Sequence, residues 1–313
     1  MKKGLILIGI LLVLVILPQL VSVYYVNLVT LSLIFAIFAM SFDLIFGYLD
    51  LPSLGHGAFF GVAAYTVGIF SKQVAASFWL NFLLGIGMAC VVGALFGLLA
   101  LRTREAYFFM ITLAMAQMLW AIAFKWRSFT RGDDGITAIL RPHLSFLLWS
   151  LQEVNVYYYF VLLFSVIAFL LMYIMVHSPF GHVILGIREN ELRMRALGYN
   201  TLLYKYIWYI IAGAFAGLAG ILAVYFHGYV SPADLGIGIS AEGIIMVLLG
   251  GPGTLIGPII GAGVIVLSKN IISAWTERWL LILGMIYVMV VMFAPQGILG
   301  LINKILLKKE INA

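Results

Sequence analysis

A polar segment at residues 177–200 concentrates charge in a chain that is otherwise largely apolar. It places five charged side chains within eight positions: Arg188, Glu189, Glu191, Arg193 and Arg195. A charge at the centre of a membrane span costs about 2.5–3.5 kcal/mol, so this segment must lie outside a bilayer. Its arginine content predicts a position on the cytoplasmic side, in a loop that covers 177–205.

The charged residues fall within a short predicted helix. Residues 188–197 have helical character, with charges on one side and Ile187, Leu192, Met194 and Leu197 on the other. Gly198 is typical of a residue that ends a helix. Two interpretations stay open. The helix is a connector or a helix lying on the lipid surface, or it is a docking element that inserts into a cleft of a soluble partner.

The composition predicts an all-α polytopic integral membrane protein. The 313 residues are 64% hydrophobic and 10% charged, whereas soluble domains average about 25% charged residues. No polar stretch is long enough to form a soluble domain, so we expect a single transmembrane domain over 1–313. The net charge of +6 fits basic cytoplasmic loops and does not indicate nucleic-acid binding. The single cysteine, Cys90, excludes an internal disulfide.

Ten apolar segments, most of them of the length that a crossing requires, predict about ten helical crossings, with 239–250 as a short crossing or half-helix. They cover residues 4–24, 28–47, 54–70, 79–101, 106–124, 156–176, 206–227, 239–250, 255–272 and 279–293. Glycine and proline predict short or broken helices near 47–57 and 239–258. Basic residues near both termini and in the 177–205 loop predict cytoplasmic N- and C-termini.

The first helix break could hold an anion. Pro52 and Ser53 favour a helix start, which would expose the N–H groups of Gly55, His56 and Gly57. Such a helix start at membrane depth suits a carboxylate. The alternative is a turn followed by a tightly packed helix, and His56 alone is more often a hydrogen-bonded core residue than a proton relay.

Two further segments could line a path through the membrane. Asp133 and Asp134 lie in a turn-rich loop, and because adjacent residues rarely converge on one metal ion, we expect no metal site there. Gly251 and Gly253 lie in a glycine-rich loop that lacks the Lys-Ser/Thr of a phosphate-binding loop. Glu242 lies near the start of the short segment before that loop, where it would complement the helix dipole.

The sequence shows no catalytic constellation. The histidines are scattered, and the spacing of a metal site or of a serine nucleophile does not occur. We therefore expect a chain that is not an enzyme and carries no cofactor. Since a Walker A loop is also missing, any ATP hydrolysis must take place on another polypeptide.

Several segments together resemble one known family. They read Arg-Ala-Leu-Gly-Tyr-Asn at 195–200, Ser-Leu-Gly-His-Gly-Ala-Phe-Phe-Gly at 53–61, Leu-Leu-Gly-Gly-Pro-Gly-Thr-Leu-Ile-Gly-Pro at 248–258 and Phe-Ala-Pro-Gln-Gly-Ile-Leu-Gly at 293–300. Taken in their order along the chain, they resemble the LivM-type permeases, which form one of two membrane subunits of branched-chain amino acid ABC importers. The resemblance covers nearly the whole chain.

The resemblance implies a permease that moves leucine, isoleucine or valine into a bacterial cytoplasm by alternating access. It implies four kinds of partner: a second homologous permease, two ATPase subunits, an extracytoplasmic binding protein and the lipid of the inner membrane. ATP would be used only by the ATPase subunits. The helix between Gly186 and Gly198 would act as a lever seated on them, with Arg188, Glu189, Asn190, Arg193 and Arg195 as contacts.

Other functions remain as alternatives. Similar permeases carry urea, short amides or other amino acids. A stand-alone secondary transporter driven by an ion gradient is the other alternative, and Asp43 is its single candidate carboxylate. An intramembrane enzyme is disfavoured because no catalytic constellation occurs.

Overall fold

The chain folds as a bundle of helices in a computed structural model. The model describes residues 2–73, 77–103, 105–142 and 150–276, together with single residues between 278 and 300. Within these residues the regular structure is helical, apart from one isolated antiparallel bridge between Ile136 and Val230. The predicted all-α class therefore agrees with the described part of the chain.

The helices are α1 (Lys2–Leu20), α2 (Val23–Leu49), α3 (His56–Gln73), α4 (Phe78–Ala100), α5 (Glu105–Lys125), α6 (Arg127–Thr130), α7 (Val154–Val176), α8 (Pro179–Ala196), α9 (Thr201–His227), α10 (Ile237–Gly250) and α11 (Ile256–Trp275). Single 3₁₀ turns occur at Gly132–Asp134 and Pro232–Leu235.

Fewer helices meet the length and apolarity of a full span than the sequence predicts. In the described part of the chain, 6 helices do so: α2, α4, α5, α7, α9 and α11. The helix α10 has only 14 residues, and the apolar stretch of α1 is also short, at Leu11–Leu20. The predicted crossing at 279–293 lies largely outside the described residues. The count of about ten is therefore not supported at this criterion, because several predicted crossings are short or broken helices.

Both helix breaks lie where glycine and proline predict them. The chain leaves α2 at Asp50, whose φ of 57° is left-handed, and resumes as α3 at His56. The His56 ring contacts Ser41, eight residues before the end of α2, so α3 begins about 12 Å inside that end. The second break separates α10 from α11, and its backbone turns at Gly251 and Gly253 with φ of 112° and 74°.

The helices α2 and α9 form the centre of the bundle. In their apolar windows, 78% of α2 and 72% of α9 are buried, against 28–33% for the other long spans. The Trp208 indole N–H of α9 donates to the Leu44 carbonyl of α2 at 2.6 Å, and both residues are fully buried. The two helices are therefore shielded from lipid, whereas the others present a broad outer surface.

Glycines set the close contacts between these helices. A Cβ on Gly217 of α9 would lie 2.5 Å from the Ala89 Cβ of α4, and one on Gly220 would overlap the Phe60 carbonyl of α3. Similar small-residue pairs at Gly93 and Gly97 also face neighbours in the same chain. These motifs thus serve packing within the chain, because small residues let backbones approach in lipid.

The bundle has two distinguishable ends. One, called here the α8 end, carries α8 and the start of α9; Arg102, just after α4, lines a cavity there with Asn200. At the opposite end, the Ile136–Val230 bridge closes a loop over the end of α9. The Tyr158 hydroxyl near the start of α7 donates to the Leu14 carbonyl at 2.6 Å. The last turns of α1 therefore lie toward the opposite end, and Lys2 lies toward the α8 end.

We predict that Gly220→Ala destabilises the bundle by about 1–3 kcal/mol, because the methyl group forces the backbones of α3 and α9 apart. The measurement is the midpoint of thermal unfolding of the detergent-solubilised protein. Gly87→Ala on α4 is the matched control, since a Cβ there meets no atom within 4 Å. Equal midpoints for the two variants would contradict the packing described here.

Candidate functional site

The charged helix α8 begins at a capped start two residues after α7 ends. The Ser178 hydroxyl accepts a hydrogen bond from the Gly181 N–H at 3.2 Å, and Pro179 occupies the first helical position. Proline is well suited to this position, because its missing N–H would be unpaired in the first turn anyway.

The helix is interrupted at Asn190, which corrects the prediction of one uninterrupted helix over 188–197. Asn190 has φ of −160° and ψ of 97°, and its side-chain oxygen accepts from the Arg193 N–H at 2.9 Å. It therefore acts as an N-cap for a second short helical piece that begins after the break. Asparagine favours such local bonds over a helix interior, which explains the interruption.

The predicted stop at Gly198 is confirmed by its geometry. Gly198 has φ of +91°, its N–H bonds to the Arg195 carbonyl at 2.9 Å, and the Tyr199 N–H bonds to the Met194 carbonyl at 3.1 Å. These two bonds form a Schellman motif, which closes the helix end in a fixed geometry. The next residue, Asn200, caps the start of α9 by accepting from the Leu203 N–H at 3.2 Å.

The apolar side chains of this segment do not share one face. Ile187 is buried against the bundle, whereas Leu192 and Leu197 are 73% and 67% exposed. Met194 packs over Gly186, where a Cβ would come within 2.8 Å of the Met194 sulfur. The predicted apolar side is therefore divided between the bundle and solvent, and the exposed leucines form a surface that nothing in the described chain covers.

The carboxylate of Glu191 joins α8 to α9. It accepts from Lys205 Nζ at 2.6 Å, from Arg195 Nη2 at 2.7 Å and from the Thr201 hydroxyl at 2.9 Å. The Arg195 Nε–H also donates to the Thr201 hydroxyl at 3.0 Å. Partial burial acts to raise the pKa of Glu191, but the bonds and charge of Lys205, together with Thr201 and Arg195, outweigh it and hold that pKa below its ordinary value.

Glu191 was not among the predicted site residues, although its spacing offered a signal. Glu191 and Arg195 are four residues apart in the order that favours a helical ion pair. Arg195, one of the residues predicted to contact an ATPase subunit, is therefore already bonded to Glu191 within the chain. Arg188, Glu189 and Arg193 are exposed and form no ion pair with any residue that the structure describes.

The glycine-rich loop after α10 is held by a buried carboxylate at the α8 end. Asp43 is fully buried and accepts from the Gly253 N–H at 2.7 Å and from the Leu255 N–H at 3.1 Å. The Arg188 guanidinium lies beside Gly253. Gly251 and Gly253 therefore lie next to the charged helix, in a loop whose conformation depends on Asp43.

The predicted anion site at the start of α3 is enclosed. The Gly55 and Gly57 N–H groups already have partners, whereas the His56 Nδ1 atom is buried with no hydrogen-bond partner among the described residues. The Gly57 N–H donates to the Ser240 hydroxyl of α10 at 2.8 Å, and the Gly55 N–H bonds the Ser53 hydroxyl at 3.2 Å. The His56 Nε2 pairs with the Ser41 hydroxyl at 2.9 Å, and Ser53 and His56 are fully buried. The prediction of exposed N–H groups at this helix start is wrong, because α10 covers it.

Asp133 and Asp134 lie neither in the glycine-rich loop beside α8 nor at the start of α3. Both are exposed in the 3₁₀ turn at the opposite end of the bundle. No group of three His, Cys, Asp or Glu residues in the described ranges could hold a metal ion. The predicted path residues thus fall into three separate regions: Asp133 and Asp134 at one end, Ser53 to Gly57 in the interior, and the Gly251 and Gly253 loop at the α8 end.

A bundle of helices, several of them long and apolar enough to cross a membrane, defines a multi-pass membrane protein. The chain belongs to the family described as branched-chain amino acid transport system / permease component, whose profile matches residues 24–294.

Curated relatives agree with this membership. The chain is 28% identical over 319 residues to the high-affinity branched-chain amino acid transport system permease protein LivM of Escherichia coli, covering 95% of this chain and 75% of the relative. A probable LivM permease of Methanocaldococcus jannaschii is 22% identical, over 85% of this chain and 90% of that protein. The LivH permease of Escherichia coli is also 22% identical, over 88% and 94%. No solved structure matches the chain significantly.

We predict that Glu191→Gln lowers stability by about 1 kcal/mol near neutral pH, since charged hydrogen bonds at a half-exposed site contribute modestly. The folded pKa of Glu191 lies below its ordinary value of 4.5. Its contribution is therefore present above that value and lost as pH falls through the folded pKa. The difference in thermal midpoint between wild type and variant should disappear in acid.

Glu189→Gln is the matched control, because Glu189 is exposed and has no ion pair among the described residues. We expect it to leave the midpoint unchanged at every pH. A Glu191→Gln difference that stays constant as pH is lowered would show that the carboxylate charge does not join α8 to α9.

Proposed function

We propose that this chain is a membrane-spanning permease subunit of an ATP-driven importer of branched-chain amino acids, working by alternating access. Family membership supports the transport function. The structural observation that carries the coupling role is α8. It is capped at both ends, is tied to the central helix α9 through Glu191, and presents charged and apolar side chains with no partner in the described chain.

The proposed partners are inferred from the missing Walker A loop and from the similarity of the chain to two kinds of permease. The sequence contains no Walker A loop, so ATP must be hydrolysed by separate ATPase subunits. We propose two such subunits, a second homologous permease and an extracytoplasmic binding protein. The similarity of this chain to both the LivM and the LivH permeases of Escherichia coli supports pairing between two related permeases.

The ATPase seat is proposed at the α8 end. Leu192 and Leu197 supply apolar contact, and Glu189 and Arg193 supply charges that are available for pairing across an interface. The same end of the bundle has a cavity of about 210 Å³, lined by residues that include Arg102 just after α4 and Leu203 and Tyr206 of α9. An amphipathic element of this kind can enter a groove of a soluble partner.

The transmission element is proposed to be α9. It runs without interruption for 27 residues from Thr201, beside Glu191, to His227 at the opposite end. Because an unbroken helix is stiff along its axis, a displacement of α8 reaches the far end of the bundle through it. The helix α3, which packs on α9 and meets α10 through Gly57 and Ser240, would then rearrange together with α10 to open the path.

We propose about ten crossings with both termini in the cytoplasm of a bacterial cell. The Tyr158–Leu14 bond puts the N-terminal part of α1 on the side of the α8 end, and the Asn81–Ser71 bond joins the end of α3 to the start of α4 at the opposite end. Positively charged residues favour the cytoplasmic side. The basic residues Lys304, Lys308 and Lys309 lie outside the described residues and remain a prediction.

A stand-alone ion-coupled transporter is disfavoured by Asp43. Its carboxylate accepts from two backbone N–H groups, so it holds the loop between α10 and α11 together. Binding of a transported ion at this carboxylate would release those groups, which would then lie buried and unpaired.

We predict that Leu192→Asp combined with Arg193→Glu leaves the permease inserted and stable but reduces co-purification of the ATPase subunits by about tenfold or more, since interface contacts of this type contribute over 1 kcal/mol. The measurement is the ATPase-to-permease ratio after affinity purification through a tag on the permease. Lys125→Glu, an exposed charge at the opposite end, is the control. Unchanged co-purification in the double variant would remove the coupling role from α8.

A further inference from the structure

An ion pair lies between two apolar helices of the bundle. The Lys269 ammonium of α11 donates to the Glu242 carboxylate of α10 at 2.8 Å. Lys269 stands six residues before the end of α11 at Trp275, which is about 9 Å along the helix axis. The helix itself is apolar and long enough to span a membrane. The pair therefore lies within the depth of a span and not in an aqueous loop.

The pair replaces the role that the sequence suggested for Glu242. A carboxylate near a helix start complements the helix dipole without any partner. Here the carboxylate instead bonds to a cation on the neighbouring helix, 27 positions along the chain. Charges inside membrane helices are costly and commonly mark substrate pathways. If Glu242 only complemented the dipole of α10, a lysine at the facing position of α11 would not be needed.

The two charged side chains are reachable. Side-chain exposure is 40% for Lys269 and 26% for Glu242, so neither is sealed within the bundle as Asp43 is. Exposure of both charges to lipid hydrocarbon is unfavourable, so the exposed side of the pair must face water or protein. The Lys269 charge also acts on His227, the last residue of α9, which places the pair toward the end opposite α8.

The start of α10, about one turn from Glu242, is open. Ile237 there is 43% exposed, and a Cβ on Gly238 would meet no atom within 4 Å. A ligand at the pair would therefore find two opposite charges, with room toward the first turn of α10. Since the pair is neutral overall, a ligand with a single charge would be attracted by one member and repelled by the other.

We infer that Glu242 and Lys269 form a binding site for a zwitterionic aliphatic amino acid on the translocation path. The Glu242 carboxylate accepts from the ligand's ammonium group, the Lys269 ammonium donates to the ligand's carboxylate, and the aliphatic side chain contacts the start of α10. This inference rests on the proposed function, and it assigns the substrate to a place that the family membership does not identify.

The test separates binding from an interhelical bond by exchanging the charges. Glu242→Lys combined with Lys269→Glu keeps an ion pair between α10 and α11 but reverses the order of its charges. Glu242→Gln removes one charge while keeping the shape. Each variant is assembled with the complete transporter in proteoliposomes. Three quantities are measured: the thermal midpoint, ATP hydrolysis stimulated by the loaded binding protein, and uptake of labelled leucine.

We expect the exchanged pair to unfold at the wild-type temperature and to keep stimulated ATP hydrolysis, yet to lose about tenfold or more in leucine uptake per ATP hydrolysed, because the ligand's charges meet like charges. Glu242→Gln should also lose uptake per ATP. Gly263→Ala, whose Cβ on α11 would meet no atom within 4 Å, is the control and should transport as the wild type does.

Wild-type uptake by the exchanged pair would overturn the binding site, because the pair would then serve only to join the helices. Loss of uptake together with a lower thermal midpoint in the exchanged pair would also count against it, since that pattern indicates a structural role. The wild-type transporter distinguishes the two proposals. If it imports no branched-chain amino acid, the proposed function fails and the site fails with it. If the wild-type transporter imports branched-chain amino acids normally, the proposed function stands and the variants test only the binding site.

Discussion

The bonds from Asp43 to the loop between α10 and α11 are the interaction on which the rest of the bundle depends. A helix that breaks inside a membrane leaves backbone N–H groups that water cannot reach, and each must find a partner within the protein. The Asp43 carboxylate is the partner of two such groups, the N–H groups of Gly253 and Leu255. Without this carboxylate, the loop between α10 and α11 would carry unpaired donors next to α2.

The other break follows the same rule with neutral groups. Ser240 of α10 satisfies the Gly57 N–H, and Ser41 of α2 pairs with His56. The two broken helices thus depend on each other and on α2, which explains why α2 is so deeply buried. The hydrogen bond that joins α3 to α10 therefore lies in the interior of the bundle, where both of its residues are buried.

The two ends of the bundle are joined through α9. At the α8 end, the Glu191 carboxylate of α8 pairs with Arg195 on the same helix and with Lys205 of α9. At the opposite end, the Arg141 guanidinium donates to the carbonyl of Tyr225 at 3.0 Å and lies 4.2 Å from the centre of the Tyr157 ring. Each end of α9 is therefore attached to an element that faces outward. This continuity is what a lever needs to act across the thickness of a membrane.

Local sequence patterns predicted the features that depend on local chemistry. Composition predicted the helical membrane class, proline and glycine predicted both helix breaks, and Gly198 predicted the end of α8. The interruption at Asn190 was missed because asparagine is tolerated in helices and its capping bond to Arg193 depends on backbone conformation. Contacts between positions far apart in the chain could not be predicted from local sequence patterns either. Asp43 and Gly253 are 210 residues apart, and no periodicity connects Glu242 with Lys269.

Chemical cross-linking from α8 tests the coupling role most directly. Cys90 is the only cysteine, so Cys90→Ser provides a background for single cysteines at Leu192 and, as a control, at Phe129 at the opposite end. The proposed seat predicts that a reagent with one thiol-reactive group and one short photoreactive arm, attached to Leu192→Cys, links it on illumination to an ATPase subunit in the assembled transporter, while the same reagent on Phe129→Cys gives no such product. Absence of the product at Leu192→Cys, with an intact complex, would contradict the entry of energy through α8.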